Sequence, residues 1–90
     1  MVTLGTYVKK YETQVKKSVK AIIGSEYDCP EEMDKEKWIM AIFNSEFLKC
    51  YELQEEIRSK FSFLEDDYYI IGEFKRSEEK LVKAKELAMI

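Results

Sequence analysis

Apolar side chains recur along the chain at alternating intervals of four and three residues. The first series is Leu4, Val8, Tyr11, Val15, Ser18 and Ile22, with Ser18 its one polar member. This spacing puts all six on one stripe of a helix and predicts an amphipathic helix over 4–23. Thr3 or Thr6 is placed to cap its start by accepting an otherwise unpaired amide hydrogen. Gly24 stands where a helix ends in the left-handed conformation.

A second helix is predicted over 30–62. Pro30 suits its first position, where the missing amide hydrogen has no partner to lose. Glu31, Glu32 and Asp34 follow at the positive end of the helix dipole. Met40, Phe43, Phe47, Cys50, Ile57, Phe61 and Leu64 make one stripe, interrupted at Gln54. A break at 44–45 is the variant to watch, because Asn44 and Ser45 are both capping residues. The third helix is expected over 67–88, with Phe74, Leu81, Ala84 and Ala88 on its inner face and the acidic turn Glu65-Asp66-Asp67 before it. The run from Phe61 to Phe74 is rich in strand formers, so a short β-hairpin at 61–74 is the alternative there, with the last helix then starting at Ser77.

The fold class expected is therefore all-α: one domain over 1–90, an antiparallel three-helix bundle with short connections. Composition agrees. Three glycines and one proline leave few helix breakers, and hydrophobic residues make up 46% of the 90 positions, enough for a core. A chain this short buries only roughly two-thirds of its unfolded surface, so association would add burial that the monomer lacks. No basic-then-apolar leader opens the chain, and the longest unbroken apolar run, Trp38 to Phe43, is far short of a bilayer span. Cys29 and Cys50 are expected as packed thiols in a reducing, cytoplasmic setting.

Charge changes the picture more than its total suggests. The net value of −3 hides an order of basic, acidic, basic. Residues 1–23 hold five Lys and one Glu, residues 24–74 five basic and fourteen acidic groups, and residues 75–90 five basic and three acidic groups. In the first helix the lysines fall on the outer stripe. Lys9, Lys16, Lys17 and Lys20 thus form a candidate anion-binding face for nucleic acid or a nucleotide, weighed against an ordinary solvated surface. No arginine lies in this helix, so bidentate phosphate recognition is missing from it. The basic third segment pairing with the acidic second one is an internal account of the same pattern.

Catalytic chemistry is thin. The chain has no histidine, which removes the commonest general base and the commonest zinc ligand. Its glycines, at 5, 24 and 72, are too scattered for a phosphate loop. The carboxylates near 31–36 and 65–67 are adjacent in sequence and point in different directions, as capping and solvated groups do. No enzyme activity, cofactor or metal is expected.

Two apolar clusters exceed what one seam needs. Trp38-Ile-Met-Ala-Ile-Phe43 turns through about 600° of helix, so Trp38 and Ile42 face away from Met40 and Phe43. They are either covered by a second neighbour or offered to a partner, where Trp is a frequent anchor. Tyr68 and Tyr69 stand in a similar position beside the acidic turn. The function expected is a small protein-binding module of regulatory or inhibitory type, docking on a larger protein or forming a homo-oligomer through Trp38, Ile42, Tyr68 and Tyr69. The Lys/Glu/Ile-rich composition is of a microbial or phage-like kind. The alternatives are the nucleic-acid or nucleotide binder on the lysine face and an acidic decoy of nucleic acid using 26–36 and 65–67. A membrane partner is not expected.

Overall fold

The computed structural model describes residues 3–61 and 68–90, with the side chains of Tyr68 and Tyr69 excepted. Three helices, α1 (Leu4–Gly24), α2 (Lys35–Lys60) and α3 (Tyr68–Met89), pack against one another in an up-down-up bundle, and a 3₁₀ turn (Ser25–Asp28) follows α1. Among the described residues there is no strand. Residues 68–71, the second strand of the hairpin alternative, lie in α3; the acidic turn at 65–67 and Leu64 lie outside the described residues.

α1 begins where its capping residue dictates. Thr3 has extended backbone, and its hydroxyl accepts the Thr6 amide hydrogen at 3.4 Å. Tyr11, Val15, Ser18 and Ile22 are buried, with Leu4 and Val8 packed at the edge of the core, so the whole sequence stripe faces inward. The end differs from expectation. Gly24 has φ −80° and ψ −7°, within the right-handed region, and the chain tightens into the 3₁₀ turn. The Ile22 carbonyl there accepts from both the Ser25 amide and the Ser25 hydroxyl, the latter at 2.6 Å, so no left-handed cap is needed.

α2 starts five residues later than Pro30. Residues 31–33 form a turn in which the Met33 amide donates to the Pro30 carbonyl at 3.1 Å. Asp34 is the cap, its carboxylate accepting the Glu36 amide hydrogen at 3.1 Å. A carboxylate cap outcompetes proline because it supplies an acceptor, where proline only avoids losing a donor. From Asp34 the helix runs unbroken through Asn44 and Ser45, which are exposed and leave the backbone ladder intact. At ~1.5 Å per residue, its 26 residues cover most of the molecule's 47 Å length.

The core side of α2 is rotated slightly from the sequence stripe. Ile39, Phe43, Glu46, Cys50, Gln54 and Ile57 are the buried positions, whereas Met40 and Phe47 are half-buried. On α3 the buried positions are Ile70, Phe74, Ser77, Leu81, Ala84 and Ala88, which includes all four predicted inner residues.

The buried polar groups are paired. Gln54 donates to the Tyr11 hydroxyl at 2.8 Å. Ser18 donates to Glu46 Oε2 at 2.8 Å and accepts from Gln14 at 3.0 Å, while Lys49 reaches Glu46 Oε1 at 3.0 Å. Among the described residues no buried side-chain nitrogen or oxygen lacks a partner. Such pairs fix the register of α1 on α2, because sliding either helix by one turn would strand them.

Trp38 and Ile42 take their places inside this packing. The Trp38 indole N–H donates to the Ser25 carbonyl at 2.8 Å, pinning the 3₁₀ turn to the first turns of α2, and Lys35 and Glu26 add an ion pair at 3.2 Å. Ile42 is half-buried against the core. Both cysteines are free thiols, Cys29 half-buried and Cys50 buried. Burial pushes the Cys50 thiol and the Tyr11 phenol above their usual pKa values, against smaller opposing hydrogen bonds from Ser18 to the first and from Ser77 and Gln54 to the second.

Two expectations follow. Trp38→Phe removes the indole donor and leaves a part-buried carbonyl unpaired, so urea unfolding should show a loss of about 1–2 kcal/mol. Stability should also fall in alkali. The folded state holds Cys50 and Tyr11 neutral, while the unfolded chain releases their protons near pH 9.0 and 10.0, so their contribution is full below pH 9 and declines above it. Unfolding curves at pH 7 to 11 check this, and Cys50→Ala should remove the part of the decline that begins first.

Candidate functional site

The up-down-up path makes α1 and α3 parallel neighbours. Tyr11 meets Phe74 edge-on at 5.1 Å between ring centroids, and further along Val19 lies across from Lys80, then Ile23 across from Leu87. A groove runs between these helices on the side of the bundle away from α2. Its upper part, about 440 Å³, lies between Val15, Lys16, Val19 and Lys20 of α1 and Ser77 and Lys80 of α3, with Glu12 and Glu73 at the end. A smaller part of about 190 Å³ continues through Val19 and Lys80 to Ile23, Lys83, Ala84 and Leu87.

Side-chain size explains the groove. On its inward face α3 presents Ser77, Ala84 and Ala88, which fill less space than the Ile70, Phe74 and Leu81 between and before them. The floor is therefore shallow and apolar where small residues face Val15 and Val19. At the far end Ile23 and Leu87 are 42% and 53% exposed, large apolar side chains on adjacent helices that nothing in the bundle covers.

The walls are basic. Lys16 and Lys20 rise from α1 and Lys80 and Lys83 from α3, all exposed. None of the described ion pairs takes up these four lysines: they are Lys35–Glu26, Lys49–Glu46, Arg58–Glu55 and, at the Glu73 end of the groove, Arg76–Glu73. None joins α3 to α2; among the described residues the basic third segment pairs with the acidic second one only within α3, through Arg76 and Glu73. Lys85 instead lies over the Phe43 ring at 4.6 Å, a cation–π contact on the other side of α3.

The sequence candidates divide accordingly. Lys16 and Lys20 line the groove; Lys9 and Lys17 are exposed on α1 away from it. Trp38 and Ile42 are half-buried in the bundle and distant from these lysines in role, and the side chains of Tyr68 and Tyr69 lie outside the described residues. Ile23, Lys80 and Lys83 were not among the sequence candidates, whereas Leu87 opens the apolar C-terminal stretch Leu87-Ala-Met-Ile90, which by sequence either docks on the bundle or offers a recognition element. Their signal was present: Ile23 and Leu87 fall off the buried stripes of their helices, yet are large and apolar.

The interior offers little chemistry to a ligand. Cys50, beside Ser18 and Glu46, is 1% exposed and held as a neutral thiol by burial, so its sulfur is neither reachable nor nucleophilic. Among the described residues no three Cys, Asp or Glu side chains converge as metal ligands would, and no described helix is long and apolar enough to cross a membrane. What fold and surface define is a small three-helix bundle with one apolar, lysine-walled groove. No protein-family model matches the chain, and neither a curated protein nor a solved structure shows significant similarity to it.

If the groove side chains are surface rather than core, replacing them should leave the fold intact. Leu87→Gln and Lys20→Gln are each expected to change the unfolding free energy by no more than about 0.5 kcal/mol in urea titrations followed by circular dichroism.

Proposed function

We propose that this protein is a non-enzymatic binding module, regulatory or inhibitory in kind, that docks on a larger protein through the α1–α3 groove. The observation that carries the reading is the exposed Ile23–Leu87 pair at the mouth of a groove whose floor is apolar and whose lysines have no ion-pair partner among the described residues. Covering the exposed half of Ile23 and of Leu87 on a partner would gain roughly 0.7–1.5 kcal/mol for each. The action is steric: occupying a partner's surface requires no reactive group, and a chain without histidine and with its buried thiol sealed supplies few. A reducing compartment suits the two free thiols.

A second reading has its own observation. Lys9, Lys16, Lys17 and Lys20 are all exposed on α1, and nucleic acid or a nucleotide bound there would be held by charge alone. It accounts for the lysines and not for Ile23 and Leu87, so it ranks below protein docking.

A tagged pull-down at moderate salt with nuclease treatment separates the two. The expected result is a protein recovered in near-equal amount, insensitive to nuclease and lost with Leu87→Asp when circular dichroism shows that variant folded. Recovery of nucleic acid alone, or of a protein that Leu87→Asp retains equally well, overturns docking through this groove.

A further inference from the structure

The groove is selective about what it accepts, because its apolar and charged parts make separate demands. Lys16 and Lys20 on one wall and Lys80 and Lys83 on the other repel one another across a shared channel, and a ligand carrying negative charge on both flanks would relieve that. A wholly apolar ligand would draw the four ammonium groups out of water with nothing to pair them. A polyanion would meet the lysines but leave Ile23 and Leu87 in solvent and bring its charges toward Glu12 and Glu73 at the upper end. The ligand that meets both demands has an apolar stripe bordered on each side by carboxylates.

Shape narrows the class further. Beyond the Glu12 and Glu73 end, the lining of α1 runs from Val15 to Ile23, which at ~1.5 Å per residue is a straight channel of about 12 Å. That is the length of roughly two helical turns, and straight channels between parallel helices suit the i, i+4, i+7 stripe of a helix. We propose that the α1–α3 groove receives an acidic amphipathic helix of another protein. Its apolar stripe lies on Val19, Ala84 and the Ile23–Leu87 mouth, and its Asp and Glu residues face Lys16 and Lys20 on one flank and Lys80 and Lys83 on the other.

The chain's own α2 has an outer face of this chemistry, with Leu48 and Tyr51 54% and 44% exposed beside Glu52 and Glu55. That face lies on the opposite side of the bundle from the groove. Two copies cannot bury each other's groove reciprocally; each contact would leave one groove and one α2 face free, and the assembly would grow head to tail without closing. A helix from a different chain is the occupant that gives a finite complex.

This inference rests on the protein-docking reading and names its partner's chemistry, so its test is independent of any lysate. The full chain is used to select from a displayed library of 20-residue peptides randomised at every position. Enriched peptides are synthesised, and their binding is measured by fluorescence anisotropy. The expected winners carry apolar residues at i, i+4 and i+7 with Asp or Glu between them, bind helically, and lose about tenfold or more in affinity to the double variant Lys20→Glu/Lys80→Glu and to Leu87→Asp. Lys20→Gln/Lys80→Gln should give a smaller loss, and raised salt should weaken the wild-type complex. Several results overturn the proposal: winners that are neutral or basic, winners without helical periodicity, or no enrichment. Acidic winners displaced by a single-stranded oligonucleotide and indifferent to Leu87→Asp would mark a polyanion site. Light scattering that grows with protein concentration and vanishes with Leu48→Glu would mark the second copy as occupant. If the selection fails while Leu87-dependent capture of a lysate protein persists, the docking reading stands and the acidic helix is excluded.

Discussion

α2 must be covered from two sides at once, and this constraint shapes the rest of the molecule. Its buried positions Ile39, Phe43, Glu46, Cys50, Gln54 and Ile57, together with the half-buried Ile42, Leu53 and Phe47 on either side of them, span a sector wider than one neighbouring helix covers. α1 and α3 therefore both lie along α2, both antiparallel to it, and are forced to be parallel to each other. The two basic segments end up side by side, with α2, whose five basic and five acidic residues cancel, behind them. Charges far apart in sequence become one face, and the bundle has a positive side.

Polar residues decide which of several similar packings is adopted. Stripes with a 4-3 spacing can slide by a turn and still bury apolar surface. The pairs Gln54–Tyr11 and Ser18–Glu46 do not survive such a slide, because each has a single partner at hydrogen-bond distance. The Trp38 bond to Ser25 does the same for the connection between α1 and α2, setting how far the chain travels before α2 begins. α3 is held differently: Phe74 meets Tyr11 edge-on, and further along the small inward Ala84 leaves space beside Val19 and Ile23 that becomes part of the groove with α1.

Much of this was legible in the sequence. The α1 stripe from Leu4 to Ile22 and the inner face of α3 through Phe74, Leu81, Ala84 and Ala88 were readable because their buried positions keep to one narrow stripe of apolar or small residues. α2 was read less well. Gln54 looked like an interruption and Glu46 was not picked out at all, because a polar residue is judged buried only once its partners are known, and Tyr11 and Ser18 are 43 and 28 positions away. Trp38 was legible as surplus to the main stripe; that its surplus face covers the 3₁₀ turn depends on a turn whose form followed from Ser25 bonding back to Ile22. Pro30 permits a helix start, and the Asp34 carboxylate four residues on, by accepting the Glu36 amide hydrogen, placed the start there instead; Gly24 does end α1, but in the right-handed region, because the Ser25 amide and hydroxyl donate to the Ile22 carbonyl.

The sequence by itself determined that the chain is helical, roughly where its helices lie, which of their faces are apolar, and that α1 carries its lysines outward. These are local properties, set by spacing, capping and the scarcity of breakers within a few residues. Only the tertiary structure decided that Lys16 and Lys20 share a channel with Lys80 and Lys83, and that Ile23 and Leu87 meet at its mouth. Those pairs come from helices joined through the whole length of α2, and their meeting depends on the rotation of each helix about its axis. That rotation is fixed by the buried contacts of both helices with α2 and with each other, as at Tyr11 and Phe74, which are remote in sequence.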